Sequence, residues 1–351
     1  MSIQLKVARA AARTQRRLPA AVLRRRHGEP PTIDGHTLDL QVWAFQQLST
    51  KAQARTADPD APPSPEKIRE GFDALAMVAS GEPIEAVSVH DRTIPGPASD
   101  LPVRLYHPTR TVGRADAIVW FHQGGGVVGG LDTDHTLCSM LSEACQAVVI
   151  SVDYRLAPEH PFPADVVDSA AAYQWVVDNA DGLGVDPTRV AVGGTSQGGK
   201  ISAVIGQERR RDGLAPSFAQ ILVYPLLDAS WEGGSFDSMA EAWPLSASTL
   251  GLFNAAGGID AEKATDLRAS PGRATELAGT PPTLIVTAGF DPLRDQGNEY
   301  ANRLQEAGIP TISRCEADLT HSFTIMGGVS KAAQKATERI AADAATLLAD
   351  A

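Results

Sequence analysis

The stretch Gly-Gly-Thr-Ser-Gln-Gly-Gly-Lys at 193–200 sets a serine, Ser196, among four glycines, directly after the apolar run Arg-Val-Ala-Val at 189–192. A phosphate-binding loop would need a Ser or Thr after Lys200, and Ile201 stands there. A dinucleotide-binding turn would follow a first strand, and this one lies halfway along the chain. A plain glycine-rich turn is the bland reading. The spacing Gly194-x-Ser196-x-Gly198, between a strand-like and a helix-like stretch, is that of a sharp elbow. There a strand turns at once into a helix and the serine is left exposed in a strained backbone conformation. Side chains at 194 or 198 would meet the opposite arm of such a bend, and Gly199 would let the helix pack closely. Thr195 has the wrong offset from both glycines.

A serine hydroxyl is a poor nucleophile until a base takes its proton. Folds that carry this elbow order their groups as Ser, then Asp or Glu, then His. Of the eight histidines only His321 follows residue 196. Asp291 comes just after the strand-like Thr-Leu-Ile-Val-Thr-Ala-Gly, where its carboxylate would fix the imidazole tautomer and stabilise the imidazolium. Asp295, one helical turn on, is the competitor, expected to point along the helix flank. Asp318 lies too close to His321 in sequence. The oxyanion of an acyl transfer needs preorganised donors. The loop Trp-Phe-His-Gln-Gly-Gly-Gly at 120–126 can supply the backbone N–H groups of Gly124 and Gly125. The N–H of Gln197 joins them at the positive end of the elbow helix. His122 is expected to brace this loop beside Gln123, not to act as a second base. The chemistry implied is two-step acyl transfer through a covalent acyl-enzyme.

The elements that must position these groups follow from the apolar pattern. Short continuous apolar runs at 117–122, 147–154, 189–194, 219–225, 282–289 and 311–317 alternate with helix-like stretches at 133–145, 164–179, 198–211, 292–307 and 329–349. That alternation predicts an α/β fold, a mostly parallel sheet flanked by helices. Two alternating stretches near 86–107 predict antiparallel or edge strands. Helices are expected at 39–54 and 65–79, the second capped by Ser64 with Pro65 in its first turn. A proline-broken connector spans 55–66. About fifty residues between the strands at 219 and 282 exceed what a crossover needs and predict a helical insertion above the strand ends, where ligands bind in such sheets.

The formal charge of −11 over 351 residues hides an asymmetry. The first 27 residues hold eight Lys and Arg and no acid, which leaves 23 basic residues against 42 acids elsewhere. An acidic body of that kind repels nucleic acid. The arm is expected to form a packing or partly frayed helix with Ile3, Val7 and Leu18 along one stripe, with attachment to an anionic membrane surface or a targeting role as the alternatives. No stretch has the apolar length of a membrane span, so no integral membrane contact is expected. Three cysteines without a close pair argue against a disulfide scaffold or a metal site, and a cytoplasmic setting is expected.

Taken together, these stretches resemble the hormone-sensitive-lipase-like (bacterial family IV) carboxylesterases of the α/β-hydrolase superfamily. The match runs over about residues 40–350 through His122-Gln123-Gly124-Gly125, Gly194-Thr195-Ser196-Gln197-Gly198-Gly199, Asp-Tyr-Arg-Leu-Ala-Pro-Glu-His-Pro-Phe-Pro-Ala at 153–164, Tyr-Pro-Leu-Leu-Asp at 224–228 and Asp-Pro-Leu-Arg-Asp at 291–295. The resemblance implies an ester hydrolase without a cofactor, a helical cap, Ser196, Asp291 and His321 as the catalytic residues, and Gly124, Gly125 and Gln197 as oxyanion donors. It also allows a homodimer. Gln123, Thr195, Gln197 and Gln296 depart from the family's usual glycine, aspartate, alanine and glutamate. The expected division is a basic arm and first cap part at 1–85, a core at 86–230, a second cap segment at 231–278 and the rest of the core at 279–351. Trp43, Phe72, Trp231, Trp243, Leu245, Leu250, Phe253, Ser322 and Phe323 are candidates for the wall of a pocket that takes short to medium acyl or aryl esters. A lactonase or amidase using the same site, and a ligand-binding protein on the same scaffold, are the alternatives.

Overall fold

A computed structural model of the chain describes residues 3–56, 64–110 and 113–351. The connector expected at 55–66 falls mainly outside them. The chain opens with helices α1 (Ile3–Arg16) and α2 (Ala20–His27), broken at Pro19. A two-residue ribbon, β1 (Thr32–Ile33) and β2 (His36–Thr37), leads to α3 (Leu40–Thr56) and α4 (Pro65–Ala79). Ser64 caps α4 by accepting from the Lys67 N–H, as its sequence predicts.

Eight strands then build the sheet: β3 (Ser88–Ile94), β4 (Leu101–His107), β5 (Ala115–Phe121), β6 (Val148–Val152), β7 (Val185–Thr195), β8 (Gln220–Val223), β9 (Thr283–Phe290) and β10 (Thr311–Thr320). Their order is β10-β9-β8-β7-β5-β6-β4-β3. Only β3–β4 and β4–β6 pair antiparallel. Between strands run α5 (His135–Cys145), α6 (Ala164–Asp178), α7 (Ala180–Leu183) and α8 (Gln197–Arg211). The excursion before β9 holds α9 (Ser235–Ser238) and α10 (Ala247–Gly257), and α11 (Arg294–Glu306) and α12 (Lys331–Asp350) complete the fold.

The apolar runs are continuous because both sheet faces are covered. Along β5, Ile118 and Trp120 enter one core with Leu137 of α5 and Ile340 of α12. Ala117, Val119 and Phe121 enter the other, with Val166 of α6 and Ile201 of α8. The edge strands are less covered: β3 is exposed from Ser88 to Thr93, and β10 is exposed at Ser313, Cys315 and Asp318.

The arm differs from its sequence reading. Ile3 and Val7 are 80% and 63% exposed, and Ala12 is the buried residue of α1. Arg9 and Arg13 hold the helix down by pairing with Glu82. Among the described residues no helix is long and apolar enough to cross a membrane.

Candidate active site

Strand register brings the candidate residues together. β5 and β7 are parallel neighbours with Phe121 opposite Gly194, so the glycine-rich loop and the elbow leave the sheet side by side. β9 and β10 end with Phe290 opposite Thr320, so Asp291 and His321 each sit one residue past a paired position. All four exits lie at carboxyl ends of parallel strands.

Ser196 has φ 52° and ψ −110°, a strained conformation between the last residue of β7 and the first of α8. The bend leaves no room for a side chain at its flanks. A Cβ on Gly194 would lie 2.3 Å from the Gly198 carbonyl carbon, and one on Gly198 would lie 1.8 Å from the Phe121 oxygen. At Gly198 the obstacle is therefore the end of the neighbouring strand β5, not the opposite arm that the sequence suggests. Gly199 gives α8 close contact with Pro225.

Ser196 Oγ lies 3.0 Å from His321 Nε2, and His321 Nδ1 lies 2.6 Å from Asp291 Oδ2. Asp291 is fully buried, and its second oxygen accepts from the Leu293 N–H at 2.8 Å. The His321 ring packs against Tyr224, centroids 4.8 Å apart. Asp295 points elsewhere, towards the Arg294 guanidinium and the Ser235 N–H. Among the described residues no acceptor of the chain takes the N–H groups of Gly124, Gly125 or Gln197.

The loop beside them is braced. His122 is fully buried, meets the Gln123 carbonyl through Nδ1 at 2.7 Å and stacks on Tyr154 at 4.3 Å. Burial pushes its pKa down to about 4, so the ring is neutral near pH 7. Gln123 lines the cavity beside Ser196, but its side-chain amide is held by neighbours of the chain. Its amide donates to Asp134 at 3.2 Å, and its oxygen accepts from Ser322 Oγ. Asp134 also accepts from Trp120 Nε1 at 2.9 Å and from Thr195 Oγ1. Its carboxyl pKa is nevertheless raised, because burial outweighs these three donors. The chain Thr195–Asp134–Gln123–Ser322 thus ties the residue before Ser196 to the residue after His321. Nothing in the sequence singles out Asp134, since its partners are brought together only by the fold.

Gln197 turns its side chain onto Asp165, which also faces Lys200 Nζ at 3.4 Å. Arg69 of α4 clasps the loop from above, donating to the Val127 carbonyl at 2.8 Å, to the Ala157 carbonyl at 2.7 Å and, with both arms, to Glu159. Gln296 accepts from the Leu227 and Asp228 N–H groups and so orders the segment after β8.

Ser196, Gln197, Gly124, Gly125, His321 and Ser322 share a narrow cavity of about 70 Å³ with Phe72, Leu245, Leu250 and Phe253. Val128, Leu226 and Ile259 complete its apolar wall. Four other candidates lie elsewhere, and each for a packing reason. Trp43 donates its indole N–H to the His27 carbonyl beside α2. Trp243 meets Phe45 edge to face at 5.9 Å. Trp231 lines a separate groove with Arg273 and Arg303. Phe323 is fully buried in the core, edge to face with Tyr224 at 5.3 Å.

The sequence profile of the α/β-hydrolase fold matches residues 118–325. The chain belongs to the α/β-hydrolases, in their hormone-sensitive-lipase-like branch. This α/β-hydrolase is 39% identical to esterase LipI of Mycobacterium tuberculosis over 290 residues, 80% of the chain and 90% of the relative. It is 32% identical to an ethyl acetate hydrolase of Pseudomonas putida, over 77% of the chain and 86% of the relative. Among solved structures, an ester hydrolase from the Lake Arreo metagenome, complexed with a bipyridine phosphonate derivative, superposes with TM-score 0.82 at 36% identity. That match covers 88% of this chain and 99% of the other. The Pyrobaculum calidifontis esterase gives 0.78 at 33% identity, covering 86% and 97%.

Proposed function

We propose that this carboxylic-ester hydrolase cleaves short to medium acyl or aryl esters by two-step acyl transfer, with Ser196 as nucleophile, His321 as base and then acid, and Asp291 behind the ring. The observation that carries the reading is the run of two hydrogen bonds, 3.0 Å and 2.6 Å, from Ser196 Oγ through His321 to a fully buried Asp291. His321 Nε2 takes the hydroxyl proton as Oγ bonds to the ester carbonyl carbon, and the carbonyl π electrons move onto oxygen. The unpartnered N–H groups of Gly124, Gly125 and Gln197 receive that oxyanion, each worth roughly 3 kcal/mol in the transition state. When the tetrahedral adduct collapses, the bond to the alcohol oxygen breaks and that oxygen takes the proton from His321. Water then repeats the sequence on the acyl-enzyme and releases the acid.

The narrow apolar wall supports short acyl groups, and the ethyl acetate hydrolase among the relatives is in keeping with that range. The helices of 1–85 and 231–278 serve as a two-part cap, α4 supplying Phe72 and α10 supplying Leu250 and Phe253.

The test is hydrolysis of p-nitrophenyl acetate and butyrate by the purified protein and by Ser196→Ala, with labelling by a serine-directed phosphonate. The variant should lose at least about a thousandfold in kcat and all labelling. Full activity in the variant at equal purity overturns the assignment.

A further inference from the structure

A second cavity, of about 390 Å³, lies between α1 and the start of α12. Four cations face it: Arg13, Arg16 and Arg17 from α1, and Lys331 from the first turn of α12. Glu82 is the acid on its wall, and it is engaged by Arg9 and Arg13. Arg16 has an amide partner, Gln334, where a carboxylate would be expected. Glu338, one turn further, is bonded by the Gln334 amide. The Arg13 and Arg16 Nε–H groups are buried and have no acceptor. Among the described residues the side chains of Arg17 and Lys331 have no hydrogen-bond or ion-pair partner. Burial together with neighbouring Arg13 lowers the Arg16 pKa, the sign of cations gathered without enough counter-charge.

Guanidinium forks match the paired oxygens of phosphate and carboxylate. Arg16, Arg17 and Lys331 have no directly bonded carboxylate, and Glu338, which acts on Arg16 only through space, leaves a charge deficit that calls for more than one negative charge. We propose that this cavity binds a doubly charged oxyanion, a phosphate monoester or pyrophosphate group, which latches the basic arm α1 onto α12. The site is independent of ester hydrolysis. Its occupant bridges two elements that are otherwise joined here by the Arg16–Gln334 contact, and so it stabilises the folded chain by mass action.

The experiment uses the full chain. Thermal unfolding and titration calorimetry are run with sodium pyrophosphate and with inorganic phosphate, against sodium chloride at matched ionic strength. The wild type should show a saturable rise in Tm that chloride does not reproduce. Lys331→Gln removes a charge without touching the bonds that hold the arm, and Arg16→Gln removes a fork. Each should weaken pyrophosphate binding by about tenfold or more while p-nitrophenyl butyrate hydrolysis stays at the wild-type level. Sedimentation with phosphatidylcholine vesicles, with and without phosphatidic acid, distinguishes the source. Binding to the acidic vesicles that pyrophosphate competes away assigns the site to a lipid headgroup, and pyrophosphate binding without vesicle binding assigns it to a free anion. No saturable shift in the wild type, or an equal shift in Lys331→Gln and Arg16→Gln, overturns the proposal. So does vesicle binding that both variants retain, since that would report only the general charge of the arm.

Discussion

The carboxyl ends of the strands and the helices above them line one cavity, yet they are held by different forces. Around the elbow, position is dictated by contact between backbones. A single carbon on Gly198 would overlap the Phe121 carbonyl, and the Asp134 carboxylate is engaged by Trp120, Gln123 and Thr195. Over the cavity, Phe72 and Phe253 are half-buried, and Gly251 on α10 has open space where a side chain would go. The lower region fixes residue identity through sterics and hydrogen bonds. The upper region asks mainly for apolar volume, which many sequences supply.

The sharpest way to break that contrast is to add one methyl group to each region. Gly198→Ala should cost about 4 kcal/mol or more and abolish ester hydrolysis, because the obstacle is backbone and cannot swing aside. Gly251→Ala places the same methyl on an exposed helix face and should stabilise by up to about 1 kcal/mol with unchanged kinetics. Urea midpoints and p-nitrophenyl ester rates measure both. A stable, active Gly198→Ala would show that the elbow has slack.

Acid exposes the lower region's dependence on a neutral His122. Its folded-state pKa, about 4, lies below the ordinary 6.5, so as pH falls the unfolded chain takes the proton first. The stabilisation is complete above about pH 6.5 and is lost as pH falls towards 4, about 3 kcal/mol at its full extent. Asp153, whose carboxylate lies 3.9 Å from His122 Nε2, acts with the opposite sign. Burial, then neighbouring Asp132, raises its pKa to about 6, so the folded chain takes that proton first and gains stability as pH falls through the same window. Asp153→Asn should therefore make stability fall more steeply between about pH 6.5 and pH 4 than in the wild type. Denaturation midpoints across that range decide it, and parallel curves would refute the compensation.

Gln123 tests whether precision in the lower region extends beyond Ser196, His321 and Asp291. Removing its amide in Gln123→Ala leaves Asp134 and Ser322 each short of a partner while touching neither Ser196 nor His321. The expected result is a fall in kcat of roughly ten- to a hundredfold with KM nearly unchanged, because positioning is lost and binding is not. Gln123→Glu keeps the acceptor for Ser322 but sets a second carboxyl against Asp134, and should recover less than half of the loss at pH 7. A KM effect equal to the kcat effect would mean that Gln123 contacts substrate.

The same contrast explains what the sequence made legible. Ser196, Asp291 and His321 stand where chain order and strand ends demand them, because a bend, a carboxylate and an imidazole are each marked by residue type. The sheet was legible because both faces are buried, which writes β5 to β9 as unbroken apolar runs. Asp134, Asp165 and Arg69 were not, since a polar residue's partner depends on which distant segments the fold brings alongside. The tryptophans were misread for a related reason. Trp43, Trp231 and Trp243 have the size of pocket-wall residues, but a large apolar ring satisfies any interface, and nothing local tells a cap interior from a cavity wall.

Phe253 and Trp231 turn that last point into a measurement. Phe253 edges lie against Gly125 so closely that a Cβ there would come within 2.2 Å of the ring, which puts the phenyl directly over the glycine-rich loop. Phe253→Ala should therefore enlarge the space above the loop and raise the ratio of kcat/KM for hexanoate over acetate esters by about tenfold, the value of one or two methylenes in an apolar pocket. Trp231 faces Arg273 and Arg303 in its own groove. Trp231→Phe should leave that ratio within experimental error and change stability by no more than about 0.5 kcal/mol. A shift in chain-length preference from the tryptophan alone would mean that the second groove opens into the first during turnover, and that the boundary between wall and cap interior moves with the substrate.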